Sequence, residues 1–385
     1  MSARARAAPE RSGRALRARA LPDGAVAEIE ARAYLRVDGL GRWVALAAGA
    51  LRLRRAADGN VLRSRPHGWD VLDDDASRRA HALAGRLARR LARRLRGSPR
   101  AGDDVTGERA SAEAAFTAAA DWTSPRLEGE RRRAAAAWPE PVPILPPHRY
   151  RDLVVMPATG CPHRACTFCF FYRDRPFRAL DAAAFDRHLA AVVAVTGGLA
   201  GHDGVFLGSA SALSLPDDVL LARMARVREV LGAPRRGFAS FYDADRGPRR
   251  TRDAWERLRE AGLVDATIGL ETGDPDLRAA SGKAADLARL AAIVADMKAA
   301  RLGVALTVLV GLGGAERARA HRERTTAYLA TLPLDGRDLV YLSPWTEGDA
   351  ALTDPTALAG WRDALTGASV AGVRPYLVER FAWLA

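Results

Sequence analysis

From residue 151 to about 345 the chain repeats one unit: a short apolar run, a turn, then a stretch with helical period. The runs are "DLVVMPATG", "DGVFLGSA", "RGFASFYD", "DATIGLETG", "GVALTVLVGLGG" and "DLVYLSPW", which read as six strands separated by five helices. In the second helix Leu220, Met224, Val227 and Leu231 share a face, and in the fourth Leu287, Leu290, Val294 and Met297 do. Strands joined by helices run parallel, so this region is α/β, either a barrel or an open doubly wound sheet. Both arrangements build their sites from the loops that follow the strands. Those loops carry three cysteines, "GSAS" (208–211), "ETG" (271–273) and "GLGG" (311–314).

The remaining segments divide by composition. Residues 1–22 form a basic arm without an apolar signal-peptide core and are expected to be disordered. Residues 23–133 read as a small α+β region, with hairpin turns at Asp38-Gly39 and Asp58-Gly59. Its first helix opens on acids, closes on arginines, and carries Leu83, Leu87, Leu91 and Leu95 as one stripe. Residues 134–150 are Pro-rich and mark a linker, 151–346 form the core domain, and 347–385 form a C-terminal extension that closes the barrel or covers its rim.

Hydrophobic content of 48% suits a folded globular chain, and no run approaches the roughly 18 apolar residues of a membrane span. The expected location is cytoplasmic. The net charge of +13 comes from arginine, since Lys283 and Lys298 are the only lysines. A solvated arginine surface explains it, with contact to a nucleic acid as the lesser reading.

All three cysteines, Cys161, Cys166 and Cys169, fall within nine positions in "GCPHRACTFCFFYR". An odd count at this spacing fits no disulfide framework. Three thiolates on one loop can hold zinc, with His163 or a distant group as fourth ligand, or an iron–sulfur cluster with one iron left open.

This loop resembles the signature of the radical S-adenosylmethionine (radical SAM) enzymes. The closer likeness is to an uncharacterised Fe–S oxidoreductase subgroup with four residues between the first two cysteines, where three is commoner. The likeness continues through "FLGSASALSLP", "REAGLVDATIGLETGDPDL", "SGK" and "VLVGLGG". It implies a partial (β/α)6 TIM-like barrel, a [4Fe–4S] cluster on Cys161, Cys166 and Cys169, and SAM on the open iron. Phe168 and Tyr172 would flank the adenine. Gly208 and Ser209 would stand at the turn receiving the methionine amino group, where relatives often have acids and this chain has Ser209 and Ser211. Glu271 would contact the ribose or amino end, and Gly311 and Gly313 would admit the adenosine. The implied activity is reductive cleavage of SAM to a 5′-deoxyadenosyl radical that takes hydrogen from an unknown substrate. The partners implied are that substrate and an external electron donor such as flavodoxin or ferredoxin.

With every cysteine in one loop, no second cysteine-held cluster and no methyl-carrying cysteine are available. A cobalamin-binding Asp-x-His-x-x-Gly sequence is also missing. His321, Tyr341 and Trp345 are candidates for substrate contact, with packing as the plainer account of each. Two alternatives remain: a zinc- or cluster-stabilised nucleic-acid-binding protein, and a catalytically degenerate scaffold of the same fold.

Overall fold

A computed structural model describes residues 15–29, 33–65, 68–208, 210–345, 355–367, 371–378, 381 and 383. The chain divides into two compact units, the first ending at Arg132 and the second running from Arg133 to Trp383.

The first unit is an antiparallel meander: β1 (Leu16–Leu21), β2 (Gly24–Ile29), β3 (Ala33–Asp38), β4 (Trp43–Ala48), β5 (Leu51–Arg55), β6 (Val61–Arg65) and β7 (Gly68–Val71). After α1 (Asp74–Arg96), a short β8 (Asp104–Thr106) adds in parallel beside β1, and α2 (Arg109–Ala120) and α3 (Ser124–Ala137) follow. Alternation sets the faces. Leu16, Ala18, Ala25, Ala27, Leu35 and Val37 are buried, and Leu91, Leu95 and Phe116 of α1 and α2 join their core. Residues 16–21, expected to belong to a disordered arm, are therefore a strand. "LRARAL" hides its apolar half behind exposed Arg17 and Arg19, so its composition reads as an arm while its period is that of a strand.

The second unit begins within α3, at Arg133, and residues 138–150 do not act as a free spacer. Trp138 and Leu145 are buried, and Trp138 donates from Nε1 to the Val154 carbonyl (2.9 Å). Next come β9 (Leu153–Val155), then β10 (Ala158–Thr159), which pairs with β11 (Arg178–Ala179), and α4 (Ala182–Thr196). The alternation continues with β12 (Val205–Leu207), α5 (Asp217–Leu231), β13 (Phe238–Tyr242), α6 (Arg252–Glu260), β14 (Leu263–Glu271), α7 (Pro275–Ala280) and α8 (Leu287–Ala299). It ends with β15 (Gly303–Val310), α9 (Gly314–Thr331), β16 (Leu339–Pro344), α10 (Pro355–Thr366) and β17 (Gly372–Pro375).

Strands β9, β12, β13, β14, β15, β16 and β17 form one parallel sheet in sequence order. Parallel crossovers are right-handed, so an order that never reverses puts the helices on one side and turns the other side inward. That is a partial barrel, not a doubly wound sheet. It has seven strands where six were expected. The seventh comes from the C-terminal extension, as a half-exposed tetrapeptide without apolar alternation.

The barrel is not closed by hydrogen bonding, since β9 and β17 are not paired with each other. Side chains that follow β17 reach residues beside β9 instead. Tyr376 donates to the Leu145 carbonyl (2.6 Å), Trp383 donates to the Asp152 carbonyl (3.3 Å), and the Trp138 and Trp383 rings meet edge-on at 4.7 Å.

At the strand N-terminal end a buried charge cluster fills the interior. Arg149 pairs with Asp152 (3.2 Å) and with Asp265. His148 sits between Asp265 (3.3 Å) and the Tyr341 hydroxyl (2.9 Å). The open end is therefore the other one, where the strands finish.

Candidate functional site

The cysteine loop is fixed at two glycines. At Gly160 (φ +69°) a Cβ would lie 2.2 Å from the Pro176 carbonyl oxygen, so only glycine lets the two ends of the loop meet. There Cys161 donates its amide to the Arg175 carbonyl (3.0 Å). At Gly282 (φ +82°), just after α7, a Cβ would lie 2.1 Å from the Ala165 oxygen. His163 donates from Nε2 to the Gly282 carbonyl (2.7 Å), and Thr167 donates its amide to the Ser281 carbonyl (3.0 Å). The glycine of "SGK" is thus the seat of the loop that carries Cys166.

All three cysteines are free, half-buried and face one cavity of about 540 Å³ at the C-terminal end of the sheet. Burial pushes the Cys161 thiol up to about 11 and the Cys166 thiol up to about 12. Thiolates form there only against a cation. Three soft sulfur donors on one wall, with no fourth cysteine in the chain, suit an iron–sulfur cluster with an open iron. His163 does not turn toward the sulfurs as a fourth ligand. Its Nε2 is engaged by Gly282, and its Nδ1 faces Asp243 Oδ2 at 3.7 Å. Its backbone amide donates to Cys161 Sγ (3.4 Å).

Strand alternation supplies the opposite wall. On β14, Ala266, Ile268 and Leu270 are fully buried away from the cavity, while Thr267, Gly269 and Glu271 line it. Glu271 has φ +66°, beside a register shift in the β14–β15 ladder between Gly269 and Glu271. Left-handed backbone at a non-glycine residue costs about 1–2 kcal/mol, and here it aims a carboxylate inward. The Glu271 Oε1 lies 3.8 Å from Lys283 Nζ, and Oε2 accepts from Thr307 (3.4 Å). Burial works against the Lys283 ammonium, but Glu271 and Asp243 outweigh it and keep its pKa raised. An ion pair should draw the Glu271 carboxyl down. Burial raises it instead, because Lys283 stays beyond hydrogen-bonding distance.

The other residues singled out in the sequence divide. Phe168 and Tyr172 line the cavity, as does Trp345. Gly208 lies against Val154 and Met156 and does not line it, Ser209 lies outside the described residues, and Ser211 is buried, donating or accepting with Ser214 (2.9 Å) and accepting from the Asp243 amide (3.0 Å). Gly311 and Gly313 are outside the lining. They form the turn into α9 at φ +99° and +82°, and a Cβ at Gly313 would lie 2.9 Å from Leu277. His321 is buried, donating to the Leu309 carbonyl (2.9 Å) and accepting from Thr272 (2.9 Å). Tyr341 belongs to the charge cluster at the closed end. Both are structural.

Residues 155–322 match the sequence profile of the radical SAM superfamily. The chain carries a radical SAM domain. The match begins in β9 and ends within α9, so it contains the cysteine loop, Glu271 and Lys283. Superfamily members generally use a [4Fe–4S] cluster and SAM. No curated protein matches the chain. Among solved structures it is similar to the cobalamin-dependent SAM radical enzyme OxsB (14% identity, 64% of this chain and 32% of that one, TM-score 0.38). It is also similar to methylornithine synthase PylB (17%, 63% and 70%, TM-score 0.40) and to Streptococcus suis SuiB bound to SAM (12%, 85% and 70%, TM-score 0.40). The chain thus spans about a third of the length of OxsB.

The sequence reading of the radical SAM domain passed over Lys283, Asp243, Thr267 and Thr307. Lys283 stood in the quoted "SGK" and, as one of two lysines in so arginine-rich a chain, was a usable signal. The threonines carried none, because only strand register shows that they point inward.

Proposed function

We propose that the protein is a radical SAM enzyme, holding a [4Fe–4S] cluster on Cys161, Cys166 and Cys169 and binding SAM in the cavity they line. The observation that carries this reading is the convergence of the chain's three cysteines with the Glu271–Lys283 pair on one cavity at the open end of the sheet. Together, cluster and SAM supply reductive C–S cleavage and a 5′-deoxyadenosyl radical that abstracts hydrogen from substrate. The residues have separate tasks. Phe168 and Tyr172 form an aromatic wall for the adenine. Glu271 and Lys283 offer one charge of each sign, matching the ammonium and carboxylate of a zwitterionic methionine end. Gly160 and Gly282 fix the loop so that its sulfurs face the cavity. The electron comes from an external donor of the flavodoxin or ferredoxin kind.

The test is anaerobic reconstitution with iron and sulfide, reduction in the presence of SAM, and detection of 5′-deoxyadenosine by mass spectrometry. The wild type should form it and Cys166→Ala should not. A colourless zinc protein would overturn the reading. A brown protein that leaves SAM intact would support a degenerate scaffold.

A further inference from the structure

Composition explains how many arginines the chain has, but not where the first unit puts them. Residues 76–96, the body of α1, hold eight arginines and no acidic residue. Arg78, Arg94 and Arg96 pair with Asp75, Asp103 and Glu113, and Arg89 reaches the Ala120 carbonyl (3.5 Å). The other four, Arg79, Arg86, Arg90 and Arg93, are exposed, and among the described residues none has an ion pair or a side-chain hydrogen bond. They stand at i, i+7, i+11 and i+14, which on an α-helix is one stripe about 21 Å long.

A helix face that merely meets water alternates its charges. This stripe does not. Arg86 and Arg90 are four apart and Arg90 and Arg93 three apart, and like charges at those spacings repel. A polyanion would relieve that repulsion. The stripe also runs into a concavity at the C-terminal end of α1. Arg90, Arg93, Arg94 and Arg100 border a cavity of about 360 Å³ with Leu16 and Ile29, and no acidic side chain lines it. An anionic membrane offers negative charge too, but an interfacial helix buries its apolar face in lipid. The apolar face of α1, with Ala84, Ala88, Leu91 and Leu95, is already packed in the core of its own unit.

We propose that this face of the first unit binds the phosphate backbone of a nucleic acid, through Arg79, Arg86, Arg90 and Arg93 along α1 and Arg100 at the cavity. Contacts of this kind position a strand without reading its bases, so the binding is independent of sequence. The inference uses no residue of the second unit and does not depend on the radical SAM reading.

The test is fluorescence anisotropy of a labelled RNA, single-stranded and as a duplex, titrated with the reconstituted full chain at several salt concentrations. Five phosphate contacts predict that log K falls with log salt at a slope of about −4.5 on the duplex and about −3.5 on the single strand. Replacing Arg86, Arg90 and Arg93 together by glutamine should flatten that slope by about 2–3 and weaken binding at least about tenfold. That variant loses only repulsion, so it should melt no lower than the wild type. Lysine at the same three positions keeps the charge and should restore binding to within about threefold of the wild type. As a control, Arg257→Gln, Arg259→Gln and Arg319→Gln together remove the same charge from arginines that acids already hold, and should bind as the wild type does. Equal weakening in the control and the α1 variant overturns the inference, because net charge alone would then explain binding. So does the lack of salt-dependent binding to either RNA, or capture by phosphatidylserine vesicles without RNA binding. A preference for duplex or single strand names the form bound. Deoxyadenosine formation is read separately and bears only on the enzyme reading.

Discussion

Gly282→Ala should unseat the cysteine loop, and its cost can be divided in advance. Gly282 and Gly198 both have positive φ, +82° and +99°, so alanine at either pays about 1–2 kcal/mol for left-handed backbone. Their surroundings differ. At Gly198 a Cβ meets nothing within 4 Å, whereas at Gly282 it falls 2.1 Å from the Ala165 oxygen and 3.3 Å from the Cys166 Cα. Neither neighbour is the flexible end of a side chain, so the loop must move. Overpacking of this kind costs about 1–3 kcal/mol. It also strains the His163 bond to the Gly282 carbonyl. Gly282→Ala should therefore be about 2 kcal/mol less stable than Gly198→Ala. For a domain of this size that is roughly 4–8 °C in Tm. Calorimetry on the metal-free proteins reads this difference, and iron content after reconstitution reads its consequence, expected to fall in Gly282→Ala alone. Equal melting temperatures together with full iron loading would refute the reasoning.

Three further outcomes follow from the described contacts. Arg149→Met leaves Asp152 and Asp265 buried without their cation, a loss of about 3–5 kcal/mol measurable by urea titration; burial raises Asp152 to about 6. Protonation of Asp152 thus favours the folded state, and removing the Arg149 charge raises that carboxyl further, so the deficit should shrink as pH falls from neutral, and a deficit independent of pH would count against the charge account. His81, which accepts from Trp43 Nε1 (3.0 Å), is depressed to about 4 by burial and by the charges of Arg55 and Arg131. Its contribution is present above 6.5 and lost as pH falls toward 4, so the first unit should lose about 2 kcal/mol between pH 7 and pH 5, and His81→Gln should flatten that slope in denaturant titrations. Glu271→Gln should lower SAM affinity at least about tenfold, the scale of one charge-assisted hydrogen bond, in equilibrium dialysis of the reconstituted protein. Unchanged affinity would remove Glu271 from the SAM site.

What could be read from the sequence depended on whether a signal was local. The cysteines declare themselves by spacing, and β9 and β12 to β16 by buried apolar runs between helices. β17 escaped because four residues, half exposed, carry no period. β1 escaped because alternating arginine hid its leucine and alanine. The cavity floor is a matter of register: Thr267 and Thr307 are ordinary strand threonines until the sheet is assembled with Gly269 opposite Thr307. Gly311 and Gly313 show the converse case, glycines outside the cavity lining that the turn itself requires. Their positive φ made them necessary to the turn into α9, and that structural need resembles a ligand's need for close approach.

The join between the two edges of the barrel has a dynamic consequence. Elsewhere the wall is held by backbone ladders, and parting β14 from β15 would break the sheet. Between β17 and β9 the wall rests on Tyr376, Phe381 and Trp383 reaching across to Leu145, Tyr150, Asp152 and Trp138. Those contacts can release together while every strand stays paired, so opening here breaks no ladder hydrogen bond. Tyr376 and Phe381 also line the cavity. A ligand that touches them therefore braces the seam, and amide exchange in 371–378 should slow when the cavity fills.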